Sequence, residues 1–270
     1  MVFLEKIVEM KKEEIQRRKT PSRQKEIEEM IPSLPLPRDF MGAISQHPPI
    51  AVIAEVKRAS PSLGVINEEV DILQVAREYE KGGASAISVL TEVNFFKGHL
   101  SHLQLIKKET SFPVLQKDFI LDPYQIYEGR VSGADAILLI AALLDREQLN
   151  DFVDLARGLH MVPLVEIHNE DDLEKISDLD LSLIGINNRD LKTFEVDLRT
   201  SLRLRRKISS EIKVISESGI KSSEDVKVLK WAGFDGILVG EILMRSIDPA
   251  MKIKELLNIW SGSKSAGSPT

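Results

Sequence analysis

The chain has 270 residues, which suits one large domain or two small ones, and α/β barrels of about 250 residues often form a single domain. Its net charge of −6 argues against nucleic acid as a partner, because phosphate backbones attract a surplus of lysine and arginine. Since there is no cysteine, disulfides, thiolate zinc sites and cysteine nucleophiles are excluded. No metal site is predicted, because the spacing of His99 and His102 is more typical of a surface helix than of a ligand pair.

The chain carries no pattern that predicts export or membrane insertion. Residues 1–19 scatter charges among apolar positions and lack the continuous apolar run of a secretory signal. The most apolar run, residues 136–144, is too short for a membrane-spanning helix, which needs about 20 residues. We therefore expect a cytoplasmic protein with no membrane partner.

The two ends of the chain differ in pattern from the middle. Apolar side chains at helical spacing between Leu4 and Ile15 predict an N-terminal helix, and the charged run 11–19 is interpreted as its solvated face. Three prolines between residues 32 and 37 predict a connector. The expected domains are a helical extension at residues 1–47, a main domain at residues 48–260 and a disordered polar tail at residues 261–270.

Eight short runs rich in β-branched and apolar residues alternate with stretches long enough for helices. The runs are residues 51–57, 85–90, 112–117, 135–140, 161–166, 182–187, 212–217 and 235–240. Helix-start signals support the alternation, with Asn169 and the pair Ser222 and Ser223 as predicted N-caps. An open doubly wound sheet is the alternative, but the count of eight, the length and the absence of a GxGxxG turn favour closure. The predicted fold class is therefore α/β, a (β/α)8 TIM barrel with an extra N-terminal helical segment.

Polar groups stand at the ends of six of these runs, although strands buried on both faces should be almost continuously apolar. They are Lys57, Lys117, Glu166, Asn187, Glu217, and Thr91 with Glu92 directly after Leu90. Glu55 lies two residues before Lys57 and so points to the same side. Barrel enzymes place their chemistry at the carboxyl ends of the strands, so this set predicts an acid–base site. A structural ion-pair network is the alternative, but buried ion pairs stabilise poorly compared with apolar packing.

A second group of residues predicts an anion site. Ser218 and Gly219 follow the seventh run, while Gly240 and Glu241 follow the eighth. Glycines after a strand let backbone N–H groups face outward, and the start of a helix adds positive dipole character. Barrels often bind phosphate at this position, so a small phosphorylated substrate is expected.

Seven stretches, in order along most of the chain, resemble the indole-3-glycerol-phosphate synthase family. They are residues 53–62 (IAEVKRASPS) with Gly64, 90–92 with Phe96 and Gly98, 116–120 (QKDFI), 164–168 (LVEIH), 185–191 (GINNRDL), 216–220 (SESGI) and 239–245 (VGEILMR). The resemblance implies a lyase of tryptophan biosynthesis that needs no cofactor. Its substrate, 1-(2-carboxyphenylamino)-1-deoxyribulose 5-phosphate, closes to an indole ring with loss of carbon dioxide and water.

The resemblance also implies roles for particular residues. Lys117 is the general acid that protonates the substrate ketone, and Glu166 is its acid–base partner in the dehydration. Glu55 helps to remove a proton and organises Lys57, which faces the substrate carboxylate. The division of the dehydration between Glu166 and the Glu55–Lys57 pair is left open. Burial should lower the pKa of Lys117 while the neighbouring carboxylates oppose that change.

The remaining expected site residues bind substrate. By the same resemblance, Asn187 and Glu217 position sugar hydroxyls, and the phosphate is held by Ser218, Gly219, Gly240 and the backbone of Glu241, with Ser60 and Lys57 nearby. Phe96 packs either on the aromatic ring of the substrate or within its own loop. Arg189 contacts the substrate or forms a loop salt bridge with Asp190. The loop at residues 58–67 is expected to move over the site. His168 is interpreted as structural, and Trp231 as part of the outer core.

Two other functions stay open at this point. One is another phosphate-handling barrel of aromatic amino-acid synthesis, such as an isomerase, which the lysines at runs 1 and 3 disfavour. The other is an inactive barrel kept as a scaffold, which predicts the loss of an acid–base residue, and none is missing. Association with other enzymes of the tryptophan pathway is also left open.

Overall fold

The computed structural model describes residues 3–46, 49–60, 64–65 and 70–258. Within these residues, eight parallel strands close a barrel, each paired with the next along the chain and the last with the first. They are β1 (Ala51–Val56), β2 (Ala86–Leu90), β3 (Val114–Lys117), β4 (Ala136–Ile140), β5 (Val162–Ile167), β6 (Leu183–Asn187), β7 (Lys213–Glu217) and β8 (Gly236–Val239). The predicted TIM barrel is confirmed, and each strand begins and ends within two residues of its predicted bounds.

Helices surround the barrel and precede it. The helices α1 (Phe3–Arg18), α2 (Pro21–Met30) and α3 (Phe40–Ser45) come before β1. Between the strands lie α4 (Ile72–Gly82), α5 (Leu100–Glu109), α6 (Pro123–Val131), α7 (Arg146–Gly158), α8 (Glu170–Lys175), α9 (Arg199–Arg205) and α10 (Ser223–Trp231), and β8 is followed by α11 (Glu241–Met244) and α12 (Pro249–Leu256). Asn169 and Ser222 accept backbone N–H groups at the starts of α8 and α10, which confirms them as N-caps, whereas Ser223 is the first residue of α10.

The core has two parts, because successive side chains of a strand point to opposite faces of the sheet. Residues facing outward pack under the helices in one large cluster. Residues facing inward, such as Ile53, Leu115 and Ile215, fill the barrel together with Phe40 and Ile44 of α3. The short helix α3 was not predicted, since its sequence lies in the segment taken as a connector.

The charged run at residues 11–19 is a solvated face only in part, which corrects the prediction: Lys12 and Arg17 are exposed, but other members of the run face the barrel. Lys11 is 2 % exposed and its Nζ lies 2.9 Å from Asp118 Oδ1, directly after β3. Arg18 pairs with Glu128 on α6 at 2.5 Å. These ion pairs attach α1 to the barrel, so this part of its charged side is an interface.

The placement of Trp231 also corrects the prediction, because its side chain is 92 % exposed. It stands two residues after the buried Leu229 on α10, about 200° around the helix, and so faces solvent. Among the described residues, no helix is long and apolar enough to cross a membrane.

Several predictions fall outside what the structure describes. The polar tail at residues 261–270 lies outside the described residues, and so do residues 61–63 and 66–67 of the loop at residues 58–67. The division of the chain near residues 47 and 260 stays a prediction.

Candidate functional site

A cavity of about 1150 Å³, its open mouth included, lies at the carboxyl ends of the strands. Its position follows from the side chains that face the inside of the barrel, which are apolar near the amino ends of the strands and polar near the carboxyl ends. On β1, for example, Ala51 and Ile53 belong to the inner core, and Glu55, two residues further, lines the cavity. Leu4 and Ile7 of α1 also line it, so the N-terminal helix contributes to its wall.

Lys117 is the central cation of the cavity. Its Nζ lies 2.5 Å from Glu217 Oε2 and 3.1 Å from Glu166 Oε2, so that side chains from β3, β5 and β7 meet. Burial alone would lower the pKa of Lys117, but the carboxylates of Glu217, Glu166 and Glu55 outweigh burial and raise the pKa above its ordinary value. The sequence left this balance open, and the carboxylates decide it.

The two carboxylates that share Lys117 differ in their pKa. Burial raises the pKa of Glu166, but Lys117 and His168 oppose burial and hold this pKa well below its usual range. Burial raises the pKa of Glu217 to about 8 with a contribution from the charge of Glu166, although Lys117 opposes the rise. The pKa values of these two neighbouring carboxyl groups are therefore displaced in opposite directions.

A second ion pair lies on β1 and just beyond it. Lys57 Nζ is 2.9 Å from Glu55 Oε1, and both side chains are largely buried. Gly240 leaves room for this pair, since a Cβ at residue 240 would lie 2.5 Å from Glu55 Oε1. The φ of Gly240 is −134°, outside the positive range in which glycine is favoured. A glycine is needed here for space, whereas the sequence interpretation attributed it to backbone freedom.

The turn after β7 has an unusual backbone. Ser218 and Gly219 have φ values of +66° and +79°, a backbone region that residues other than glycine rarely occupy. Buried Asn188 holds this turn, because its side-chain amide lies 3.0 Å from the carbonyl oxygens of Glu217 and Ser218. Sequence reasoning missed Asn188, whose only signal was its position after a strand end.

The aromatic wall is held by a turn that the sequence left without a role. The carboxylate of Glu92 accepts the backbone N–H groups of Asn94, Phe95 and Phe96 at 2.7 to 3.0 Å. This places Phe96 on the cavity wall, with its ring centroid 6.2 Å from that of Phe119. Phe119 was also missed, although it stands two residues after Lys117.

Arg189 lies at the other side of the cavity mouth. Its guanidinium is 3.6 Å from Glu241 Oε2, while Asp190 accepts the backbone N–H groups of Lys192 and Thr193. The expected bridge between Arg189 and Asp190 is thus replaced, among the described residues, by a pair with Glu241. The side chain of Asn187 accepts the backbone N–H of Arg189 at 3.0 Å.

Twelve of the thirteen predicted site residues line this one cavity. They are Glu55, Lys57, Phe96, Lys117, Glu166, Asn187, Arg189, Glu217, Ser218, Gly219, Gly240 and Glu241. The remaining one, Ser60, has a described backbone that pairs with Gly64, and its side chain lies outside the described part.

The chain is similar to known proteins over most of its length. A family model described as indole-3-glycerol phosphate synthase matches residues 4–256. An indole-3-glycerol phosphate synthase of Desulforamulus reducens is 44 % identical over 257 residues, covering 95 % of this chain and 97 % of that protein. One of Acetivibrio thermocellus is 50 % identical over 224 residues, covering 83 % and 86 %. A crystal structure of 3-hexulose-6-phosphate synthase matches with a TM-score of 0.61 at 15 % identity, covering 77 % of this chain and 99 % of that one, which is a likeness of fold.

Proposed function

Because the chain belongs to the indole-3-glycerol phosphate synthase family, we propose that its cavity closes the indole ring by acid–base catalysis centred on Lys117 and Glu166. The enzyme is a carboxy-lyase of tryptophan biosynthesis. Its substrate is 1-(2-carboxyphenylamino)-1-deoxyribulose 5-phosphate. The observation that carries the proposed roles is the Lys117 ammonium, buried between the carboxylates of Glu166 and Glu217.

The charges of the cavity suit a substrate with an anion at each end. Lys57 and Lys117 offer cations to this cavity, and the turn of Ser218 and Gly219 forms another part of its lining. The first N–H groups of a helix have no partner within it, so the start of α11 at Glu241 adds donors beside that turn. We assign the substrate carboxylate to Lys57 and the phosphate to the turn and the start of α11.

Lys117 has the position of a general acid. In ring closure the aryl carbon attacks the ketone carbon, and the ketone oxygen takes a proton from the Lys117 ammonium. The carboxylates around Lys117 keep it protonated before the reaction, since they raise its pKa. When a ketone oxygen replaces one of the carboxylate contacts, the protonated form of Lys117 is less stabilised. The ammonium then becomes a better proton donor.

Decarboxylation and dehydration complete the reaction. Loss of carbon dioxide restores the aromatic ring, and Lys57 faces the carboxylate that leaves. The new hydroxyl then takes a proton from an acid of the site and departs as water, while a base removes one proton from the adjacent CH2 carbon, so that the double bond of the indole forms. Glu166, which is ionised, and the Glu55–Lys57 pair are the groups placed for these transfers. Asn187 and Glu217 position the sugar hydroxyls, and Phe96 and Phe119 form the aromatic wall.

The test is the turnover of Lys117→Met, followed by the fluorescence of the indole product with no added metal or nucleotide. We expect a loss of about 10²–10⁴-fold in kcat, the range typical of general acid–base groups. Lys81→Met is the matched control, because Lys81 is 65 % exposed on α4 and pairs only with Glu78 among the described ion pairs. Turnover of Lys117→Met within about tenfold of wild type would refute the general-acid role.

A further inference from the structure

Glu166 lies between two basic side chains, one for each oxygen of its carboxylate. Oε2 is 3.1 Å from Lys117 Nζ, and Oε1 is 3.1 Å from His168 Nε2. Glu166 is 2 % exposed, and the side chain of His168 is 6 % exposed. His168 does not line the cavity, so it acts on the reaction only through Glu166.

Glu217 contacts Lys117 as Glu166 does, but no second basic side chain pairs with it among the described ion pairs. Its Oε2 is 2.5 Å from Lys117 Nζ, while its buried Oε1 has no hydrogen-bond partner among the described residues. Oε1 lies where a Cβ on Gly185 would be, so β6 leaves space for this oxygen and places no donor there. Both carboxyl groups thus contact the ammonium of Lys117 through Oε2. They differ at Oε1, which is close to His168 in Glu166 and has no partner among the described residues in Glu217.

The charge of His168 depends on the acidic groups around it. Asp172 Oδ2, at the start of α8, is 3.4 Å from His168 Nδ1 and accepts the backbone N–H of His168 at 2.9 Å. Asp190 is a further acid within electrostatic reach. Burial alone would lower the pKa of His168, but Asp172 and Glu166 outweigh burial and raise the pKa to about 9. Both contacts of the ring are close but poorly aligned, since neither ring nitrogen meets the geometry of a hydrogen bond among the described residues.

We propose that His168, held by Asp172, is a positioning residue that makes Glu166 the ionised carboxylate of the pair sharing Lys117 and leaves Glu217 as the protonated one. This rests on the proposed role of Glu166 in the dehydration. Two carboxylates beside a single ammonium cannot both ionise easily, so a second cation beside one of them decides which proton is lost. In the reaction, Glu166 is then always the proton acceptor, and Glu217 is the carboxyl group that carries a proton.

The test compares His168→Gln with wild type in kcat, KM and the pH profile of kcat. Without the imidazolium the proton shared by the two carboxylates should pass from Glu217 to Glu166, so the acidic limb of the profile should move from below the usual range of a carboxylic acid to neutral pH or above. We expect kcat at pH 7 to fall at least tenfold and KM to change less than threefold. A purely structural role would lower activity equally at all pH values and leave the limb in place.

Asp172→Asn provides a second test that leaves both His168 and Glu166 in place. The amide keeps the shape of the side chain, and its oxygen can still accept the backbone N–H of His168. The pKa of His168 should fall, so the alkaline limb should move to lower pH. His102→Gln, on α5, is the matched control and should keep the wild-type profile.

Failure of this inference can be told from failure of the proposed function. If Glu166→Gln keeps wild-type turnover, the role of Glu166 is wrong. If Glu166→Gln is inactive while folded His168→Gln or Asp172→Asn keeps both limbs of the wild-type profile, the inference alone is overturned. If His168→Gln does not fold, the pH profile of Asp172→Asn is the test. An alkaline limb at lower pH than in wild type supports the inference, and an unchanged limb overturns it.

Discussion

Replacing Lys11 by methionine should destabilise the protein although this residue lies outside the barrel strands. Its ammonium is buried between Asp118, at 2.9 Å, and Glu14, at 2.7 Å. Glu14 keeps Arg18 at 2.6 Å, but Asp118 is left with the Thr91 hydroxyl and a backbone N–H. Removing one partner of a buried ion pair typically costs about 3–5 kcal/mol, a large part of a total stability of about 5–15 kcal/mol.

The assay for Lys11→Met is urea unfolding followed by circular dichroism and by turnover. Lys25→Met is the matched control, since the pair of Lys25 with Glu29 is highly exposed at 3.7 Å and should contribute under about 1 kcal/mol. Adding Asp118→Asn to Lys11→Met should restore part of the lost free energy of unfolding, because it removes the stranded charge. If Lys11→Met and Lys25→Met unfold at the same urea concentration, the buried pair does not hold α1 to the barrel.

Three further predictions concern the site. Gly185→Ala should lower kcat at least tenfold, because its methyl group would collide with the Glu217 carboxyl; wild-type turnover would contradict this. Asn188→Ala should raise KM more than it lowers kcat, since its amide holds the turn at Ser218; an unchanged KM would show that the turn holds itself. The pKa of His168 is raised from 6.5 to about 9, so its stabilisation is complete below pH 6.5 and is lost as pH rises through 9. The difference in unfolding free energy between wild type and His168→Gln should therefore shrink by up to about 3 kcal/mol between pH 6 and pH 9.5, and a difference independent of pH would contradict it.

The barrel and most of the cavity could be predicted from the sequence because both follow from local patterns. Alternating strand and helix signals are read within about 30 residues, and the polar residue that ends each run stands at a predictable edge of a closed sheet. Once the barrel closes, residues as distant as Glu55 and Glu217 converge without any further information.

The parts that sequence reasoning missed depend on partners far along the chain. Lys11 looks like a solvated charge until Asp118, 107 residues later, is placed beside it. Gly240 looks like a flexible turn until Glu55 fills the space where its side chain would be. The helix α3 is short and lies among prolines, so its local signal is weak, and its packing inside the barrel end stabilises it. Tertiary contacts decide these features, and local propensity does not show them.

The most direct test of the account is a crystal structure with an unreactive substrate analogue in which the ketone is reduced to an alcohol. If Lys117 is the general acid, the new hydroxyl should lie about 3 Å from Lys117 Nζ. The phosphate should bind to the backbone of Ser218 and Gly219 and to the start of α11. A complex in which the hydroxyl is out of reach of Lys117, or in which the phosphate binds elsewhere, would contradict it.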